Sequence, residues 1–306
     1  MEFNHKPVLL DECINGLNIR EDGIYLDGTL GGGGHSEEIV KRLITGRLIA
    51  NDRDIDAINA ASKKLQQYNE KITYIHGNYK DIAENTDEFF DGILLDLGIS
   101  SYQIDNAERG FSYITEAPLD MRMDRSKGKT ARDIVNSYTH PELASIIRKY
   151  GEDDFASQIA SHILIARERK PIETTTELAK IIEESIPNKF RWQRGHPAKK
   201  TFQAIRIEVN EELSGLYEAI LSMARRLKIN GRMCVISFHS LEDGIIKNAF
   251  RYLETDCICD KKSPICTCNK VKEVEIITKK PMIPGSEELS SNSRAASAKL
   301  RIIKKL

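Results

Sequence analysis

The chain has 306 residues, 40% of them hydrophobic, with 45 Lys and Arg against 46 Asp and Glu for a net charge of −1. That length suffices for one large α/β domain or for one such domain with a smaller companion, and the charge balance excludes a uniformly basic nucleic-acid surface. Neither a basic-then-apolar leader nor an 18-residue apolar stretch is present, which predicts a cytoplasmic protein without a membrane span.

In chain order, Ile24–Asp27 is the first predicted strand and runs into Asp27-Gly28-Thr29-Leu30-Gly31-Gly32-Gly33-Gly34-His35. A strand feeding a helix through glycines lets backbone N–H groups and the helix N-terminus approach a nucleotide-like ligand. Arg47–Asn51 is the second strand, followed at once by Asp52, twenty-one residues beyond Gly31. At that spacing a carboxylate accepts hydrogen bonds from a ribose diol. Helical spacing over Glu37–Leu43 and Ile55–Tyr68, and further strands at Ile72–His76 and Gly92–Leu95, predict a parallel sheet with crossover helices.

The fourth strand delivers Asp96 into Leu97-Gly98-Ile99-Ser100-Ser101. Asp96 is the only charge in that run, so it reaches a ligand, carries an uncompensated burial cost, or caps a helix. Gln103 follows within reach of a cofactor. Helices are expected at Pro141–Lys149, Phe155–Arg169, Thr176–Glu184 and Asn210–Leu227, with no strand until Arg232–Phe238, which predicts an inserted helical domain. The loops Glu108–Tyr113 and Asp120–Asp124 at its root are placed to close over a cofactor.

Within the insert, residues 189–202 interleave Arg191, Trp192, Arg194, Lys199, Lys200 and Phe202. Cations beside aromatic rings neutralise phosphate and stack on unpaired bases; the plainer reading is a solvated loop between helices. At the end of the fifth strand, Phe238 and His239 reach the crevice edge, where an aromatic ring stacks on a flipped base and an imidazole relays a proton. Ser240 and Asp243 beyond them form a predicted capping box.

Cys257, Cys259, Cys266 and Cys268 form two Cys-x-Cys pairs. Four thiolates can supply a structural zinc site, but a one-residue spacing makes it hard to turn backbone N–H groups toward the sulfurs. A reducible disulfide pair and a metal-free insertion remain the alternatives. Two strands, Glu273–Thr278 and Ala298–Ile303, lie too close for a crossover helix and are expected to pair antiparallel. No zinc-protease motif, Walker lysine or nucleophile elbow is present, and Cys13 and Cys234 are expected to be buried. Methylation of a pyrimidine carbon through a covalent cysteine therefore lacks its nucleophile, whereas methylation of an exocyclic amine needs none.

Through Asp27–His35, Asp96–Ser101, Glu108–Phe111, Pro118–Asp124, Thr201–Asn210 and Ser237–Asp243, the chain resembles the bacterial ribosomal RNA small-subunit methyltransferase H (MraW) family. The resemblance implies a class I methyltransferase, Rossmann-like α/β sheet with a C-terminal antiparallel hairpin and an inserted all-helical domain. Residues 1–111 and 211–306 then form the core, 112–210 the insert that recognises RNA, and 256–269 a cysteine-rich insertion within the core. It further implies methyl transfer from S-adenosylmethionine to the N4 amine of a cytidine in small-subunit ribosomal RNA near the P site, and the near-neutral charge favours an assembled small subunit over naked RNA as the partner. Matching motifs place Gly31, Gly33, Gly34 and His35 in the cofactor loop, Asp52 at the ribose, Tyr79 at the adenine, and Asp96 and Gln103 at further cofactor contacts. Asp96, Ser100 and His239 form the candidate catalytic set. The rival readings are a nicotinamide-dependent dehydrogenase, a non-enzymatic ribosome-assembly factor, and a methyltransferase of a protein or small molecule.

Overall fold

A computed structural model describes residues 7–191, 195–260 and 265–306, and the chain forms two units, Met1–Gly98 with Leu213–Leu306, and Ile99–Glu212. These joints differ from the 111 and 211 expected from the sequence, and hydrogen bonding explains the first. Arg109, 1% exposed, donates through Nη2 to the carbonyls of Arg122 (3.0 Å) and Met123 (2.9 Å). Asn210 Oδ1 accepts from Met123 N (2.7 Å), and its Nδ2 donates to Met121 O (2.8 Å). Buried backbone groups require such partners, so both root loops are tied into the second unit.

The first unit begins with α1 (Leu10–Leu17), β1 (Ile24–Asp27), α2 (Gly34–Val40), β2 (Arg47–Asp52), α3 (Ile55–Lys64), β3 (Ile72–His76) and β4 (Phe90–Asp96). β1 pairs in parallel with β2 and β4, and β2 with β3. Ile93, Leu94 and Leu95 are fully buried, as a parallel strand covered on both faces requires.

The second unit contains α4 (Ser101–Asp105), α5 (Ala131–Ser137), α6 (His140–Gly151), α7 (Ala156–Arg169), α8 (Thr175–Ser185) and α9 (Lys199–Asn210). Capping boxes start four of them, Ser100 with Gln103, Thr130 with Asp133, Thr139 with Glu142, and Thr174 with Glu177, each satisfying N–H groups the helix leaves open. Leu143, Ile147, Ile159, Ile163, Leu178, Ile182, Phe202 and Ile205 share its core. The segment read as irregular to residue 202 instead enters α9 at Lys199.

The chain returns to the first unit through α10 (Leu216–Arg225), β5 (Leu227–Ser237), α11 (Ser240–Glu254), β6 (Val274–Ile276), α12 (Ser286–Ser291) and β7 (Lys299–Lys305). The single helix expected over Asn210–Leu227 is broken because Glu211 (φ 50°) and Gly215 (φ 68°) adopt left-handed backbone. The seven strands run β3-β2-β1-β4-β5-β7-β6. β5 is parallel to β4, while β7 is antiparallel to both β5 and β6. This is the class I methyltransferase sheet closed by a hairpin. Order reverses at β1, which has β2 on one side and β4 on the other, and ligands of open α/β sheets bind at the carboxyl ends of such a switch point. Asp27, Asp52 and Asp96 stand there. Among the described residues, no helix is long and apolar enough to cross a membrane.

Candidate functional site

The glycine turn is held by carboxylates. Gly31 N donates to Asp52 Oδ2 (2.8 Å), and Asp54 N donates to Asp52 Oδ1 (2.8 Å). Each Asp52 oxygen accepts one protein hydrogen bond and keeps a lone pair for a ligand. Burial pushes the Asp52 carboxyl up to about 6. Gly33, at φ 72°, passes so close to α3 that a Cβ would meet Ala61 Cβ at 3.1 Å and Leu65 Cδ1 at 3.2 Å, whereas Gly32 faces open space. Gly34 opens α2 against Pro7. Tyr79, half-buried, begins a short 3-10 turn and stands across from Gly28, whose added Cβ would meet Tyr79 Cβ at 3.2 Å. Asn51 donates to the carbonyls of Gly28 (3.0 Å) and Gly77 (3.0 Å), joining the two segments.

Asp27 and Asp96 close the other side of the turn. Asp27 is buried, accepting from Thr29 N (3.1 Å) and Ser36 Oγ (2.7 Å), and burial pushes its carboxyl up to about 6. Asp96 N donates to Thr29 Oγ1 (2.6 Å), fixing the backbone at the strand end. The Asp96 side chain retains 27% of its surface, yet Oδ1 is buried without a hydrogen-bond partner. Burial, followed by the nearby charges of Asp27 and Glu242, pushes its carboxyl up to about 8. His35 is buried, its Nε2 lies 3.1 Å from Val8 O, and burial lowers its imidazole to about 4. A ring nitrogen facing a carbonyl carries the proton, so Nδ1 presents a lone pair 3.8 Å from Asp96 Oδ2. His35 is neutral at pH 7, and that contact is not an ion pair.

At the end of β5, the expected box of Ser240 and Asp243 does not form. His239 is the N-cap, its Nδ1 accepting from Glu242 N (3.4 Å), while Nε2 sits 3.1 Å from Glu242 Oε1. Asp243 instead binds Arg301 through two oxygens (2.6 and 3.1 Å) and Lys299 (3.4 Å), because a bidentate guanidinium is the stronger partner. Phe238 is half-buried, its N–H donating to Glu242 Oε2 (2.9 Å), and its ring lies 3.5 Å from where a Cβ on Gly98 (φ 102°) would stand. Glu242, 2% exposed, thus orders this corner, and Thr29 orders the other. Sequence reading missed both, since a threonine in a glycine turn and an acid early in a helix have commoner uses.

In the second unit, Ser100 and Gln103 form a capping box that starts α4. Ser100 N donates to Gln103 Oε1 (3.0 Å), and Gln103 N donates to Ser100 Oγ (3.2 Å). Farther along, Phe202 is 4% exposed and meets Tyr113 edge-on at 5.6 Å, so it is a core residue and not a stacking platform for RNA. Helix α9 turns Phe202 inward while Lys199, three residues earlier, is exposed. Arg191 Nε donates to Ile186 O (2.7 Å) beyond α8, and Lys200 Nζ donates to Glu152 O (2.6 Å); both act at helix ends. Phe190, 39% exposed, carries the Lys189 ammonium 4.7 Å from its ring centre. Trp192 and Arg194 lie outside the described residues. The four cysteines sit between α11 and β6.

A model of the MraW methylase family matches residues 2–306. The chain belongs to this family. Curated relatives called ribosomal RNA small subunit methyltransferase H include those of Lachnospira eligens, 53% identical over 100% of this chain and 99% of the relative, and Clostridioides difficile, 50% identical over the whole of both. The Finegoldia magna relative is 51% identical, again over the whole of both chains. Among solved structures, an rRNA methylase from Streptococcus thermophilus aligns with TM-score 0.42 and 11% identity over 97% of this chain and 93% of that one.

Proposed function

We propose that this MraW-family methylase transfers the methyl group of S-adenosylmethionine to the N4 amine of a cytidine in the RNA of the small ribosomal subunit, near the P site, in the cytoplasm. The observation that carries the reading is the buried, unpartnered Oδ1 of Asp96 beside the glycine turn. A carboxylate oxygen enclosed without a donor carries a desolvation cost, which a cation or an amine N–H relieves. The names of the relatives supply the RNA.

The residues present fit S-adenosylmethionine. Asp52 keeps acceptor capacity for a ribose diol, the glycine turn leaves open space at Gly32, and Tyr79 flanks the same crevice. After burial, Asp27 and Glu242 raise the Asp96 carboxyl, and a ligand carrying a sulfonium and an ammonium would favour its ionised form. When bound, the cofactor would supply an electrophilic methyl group on a sulfonium sulfur.

The protein's own part is orientation and proton control. Ionised Asp96 accepts an N–H of the target amine and fixes the direction of its nitrogen lone pair, so that proximity and alignment lower the barrier. With its carboxyl raised to about 8, Asp96 is basic enough to take the amine proton after transfer. Phe238 offers a ring face for the extruded base, and Glu242 holds His239 beside it. The two buried thiols do not compete as nucleophiles: burial pushes Cys234 up to about 12 and raises Cys13. That favours an amine over a ring carbon as the acceptor. The insert makes the RNA contacts, led by exposed Lys199 and Phe190 and by Trp192 and Arg194 in the sequence.

Labelled methyl transfer from S-adenosylmethionine to small subunits lacking the modification, with naked ribosomal RNA alongside, tests the reading. Label in the RNA of at least one substrate is expected. Bound cofactor with no label on either contradicts it.

A further inference from the structure

The loop between α11 and β6 gathers four sulfurs far more tightly than its sequence requires. Cys257, Cys259, Cys266 and Cys268 are all free thiols, and their Sγ atoms lie within 4.8 Å of one another. Cys257 to Cys266 and Cys266 to Cys268 are each 3.6 Å, and Cys259 to Cys266 and Cys257 to Cys268 are each 3.9 Å. Four thiolates bonded to zinc at about 2.3 Å in a tetrahedron stand about 3.8 Å apart. The sulfurs therefore already occupy the corners of a zinc site.

Backbone donors complete the arrangement. Ile258 N–H points at Cys268 Sγ (3.4 Å), and Thr267 N–H points at Cys259 Sγ (3.4 Å). Ile258 is the middle residue of one Cys-x-Cys pair and Thr267 of the other, so each arm donates to a sulfur of the opposite arm. The two Cys-x-Cys pairs are thereby linked by donors that cross between them. Such donors spread the charge of a tetrathiolate centre.

Among the described residues of the loop, the apolar side chains point outward and form no core to hold this geometry, Ile258 being 54%, Ile265 74% and Val271 67% exposed. Beyond it, Glu273 N donates to Leu253 O (2.8 Å) and Lys270 Nζ to Glu273 Oε1 (3.0 Å), where the chain enters edge strand β6.

We propose that Cys257, Cys259, Cys266 and Cys268 bind one zinc ion as a closed structural site. Each thiol loses its proton to solvent as its Zn–S bond forms. Four protein ligands leave no position for a reacting water, so the ion ties the two arms of the loop together and sets their path into β6. It takes no part in methyl transfer.

Elemental analysis of the full-length protein, purified under reducing conditions without chelator or added metal, tests the proposal. One zinc per chain is expected, with Cys259→Ser and Cys268→Ser retaining little or none while methyl transfer persists. Cobalt-substituted protein should show the intense absorption of tetrahedral cobalt thiolate. Stripping zinc from the unmodified protein should open the loop to protease cleavage between residues 257 and 268, and added zinc should close it again, which keeps the test independent of how the variants fold. Protein that holds no zinc and takes none up, with four freely titrating thiols, overturns the proposal. So does an intact mass showing two disulfides, or iron in place of zinc.

Discussion

Asp96 combines burial with two neighbouring acids, and the sign of its titration follows. Its carboxyl ionises near the ordinary value of 3.8 when unfolded and about 8 when folded, so the native state holds the extra proton between those limits. The stability contributed is full below about pH 4, falls as pH rises, and is gone above about pH 8. Asp96→Asn removes that dependence. Its melting temperature should gain on the unmodified protein by at least about 2 °C between about pH 5 and about pH 8, read by thermal denaturation without cofactor. Asp27 and Asp52, raised to about 6, and His35, lowered to about 4, face the same turn and remain in both proteins, so the difference isolates Asp96. Catalysis should show the opposite preference, because the acceptor must be ionised: kcat/KM rises with pH through a midpoint near 8. In Asp96→Asn that rise should vanish and kcat should fall about 100-fold or more at saturating cofactor. An unchanged kcat with a raised cofactor KM would make Asp96 a cofactor ligand only. At Asp52, Asp52→Asn should weaken S-adenosylhomocysteine about tenfold or more by calorimetry, since hydrogen bonds to a charged group contribute about 1.5–3 kcal/mol. Asp96 was visible in the sequence as the lone charge in an apolar run. Glu242 and Thr29 were not, because their importance lies in what they touch.

At the scale of elements, α9 shows where local pattern and tertiary use part. Lys199, Lys200 and Phe202 sit in one basic-aromatic string, but a helical turn sends Phe202 into the core and leaves Lys199 exposed. Phe202→Ala should cost about 3–5 kcal/mol in urea unfolding. Lys199→Ala should stay within about 0.5 kcal/mol while weakening RNA binding. Were both variants equally stable, the core placement of Phe202 would be wrong. The strands were legible because parallel strands buried on both faces are continuous apolar runs. The helix boundaries near Asn210 were not, because the break rests on left-handed Glu211 and Gly215, and glutamate gives no hint of that backbone. The cap at His239 was misassigned to Ser240 for a related reason. A serine hydroxyl is the usual cap, and only the approach of Arg301 on β7 shows why Asp243 is otherwise engaged.

Across the whole molecule, a net charge of −1 offers little long-range attraction to bare RNA. Recognition then depends on shape and distributed contacts, and assembled small subunits should accept methyl groups faster than naked ribosomal RNA. The parallel sheet and the C-terminal antiparallel pair could be derived from element spacing, whereas the order of the strands could not, and the chemistry at the target atom rests on the sheet edge and on family membership together. The most direct measurement is nucleoside analysis of small-subunit RNA after methyl transfer by the purified protein. N4-methylated cytidine is the predicted product, absent with Asp96→Asn over the same interval. Label on a ring carbon, on a ribose hydroxyl or on protein would contradict the central claim.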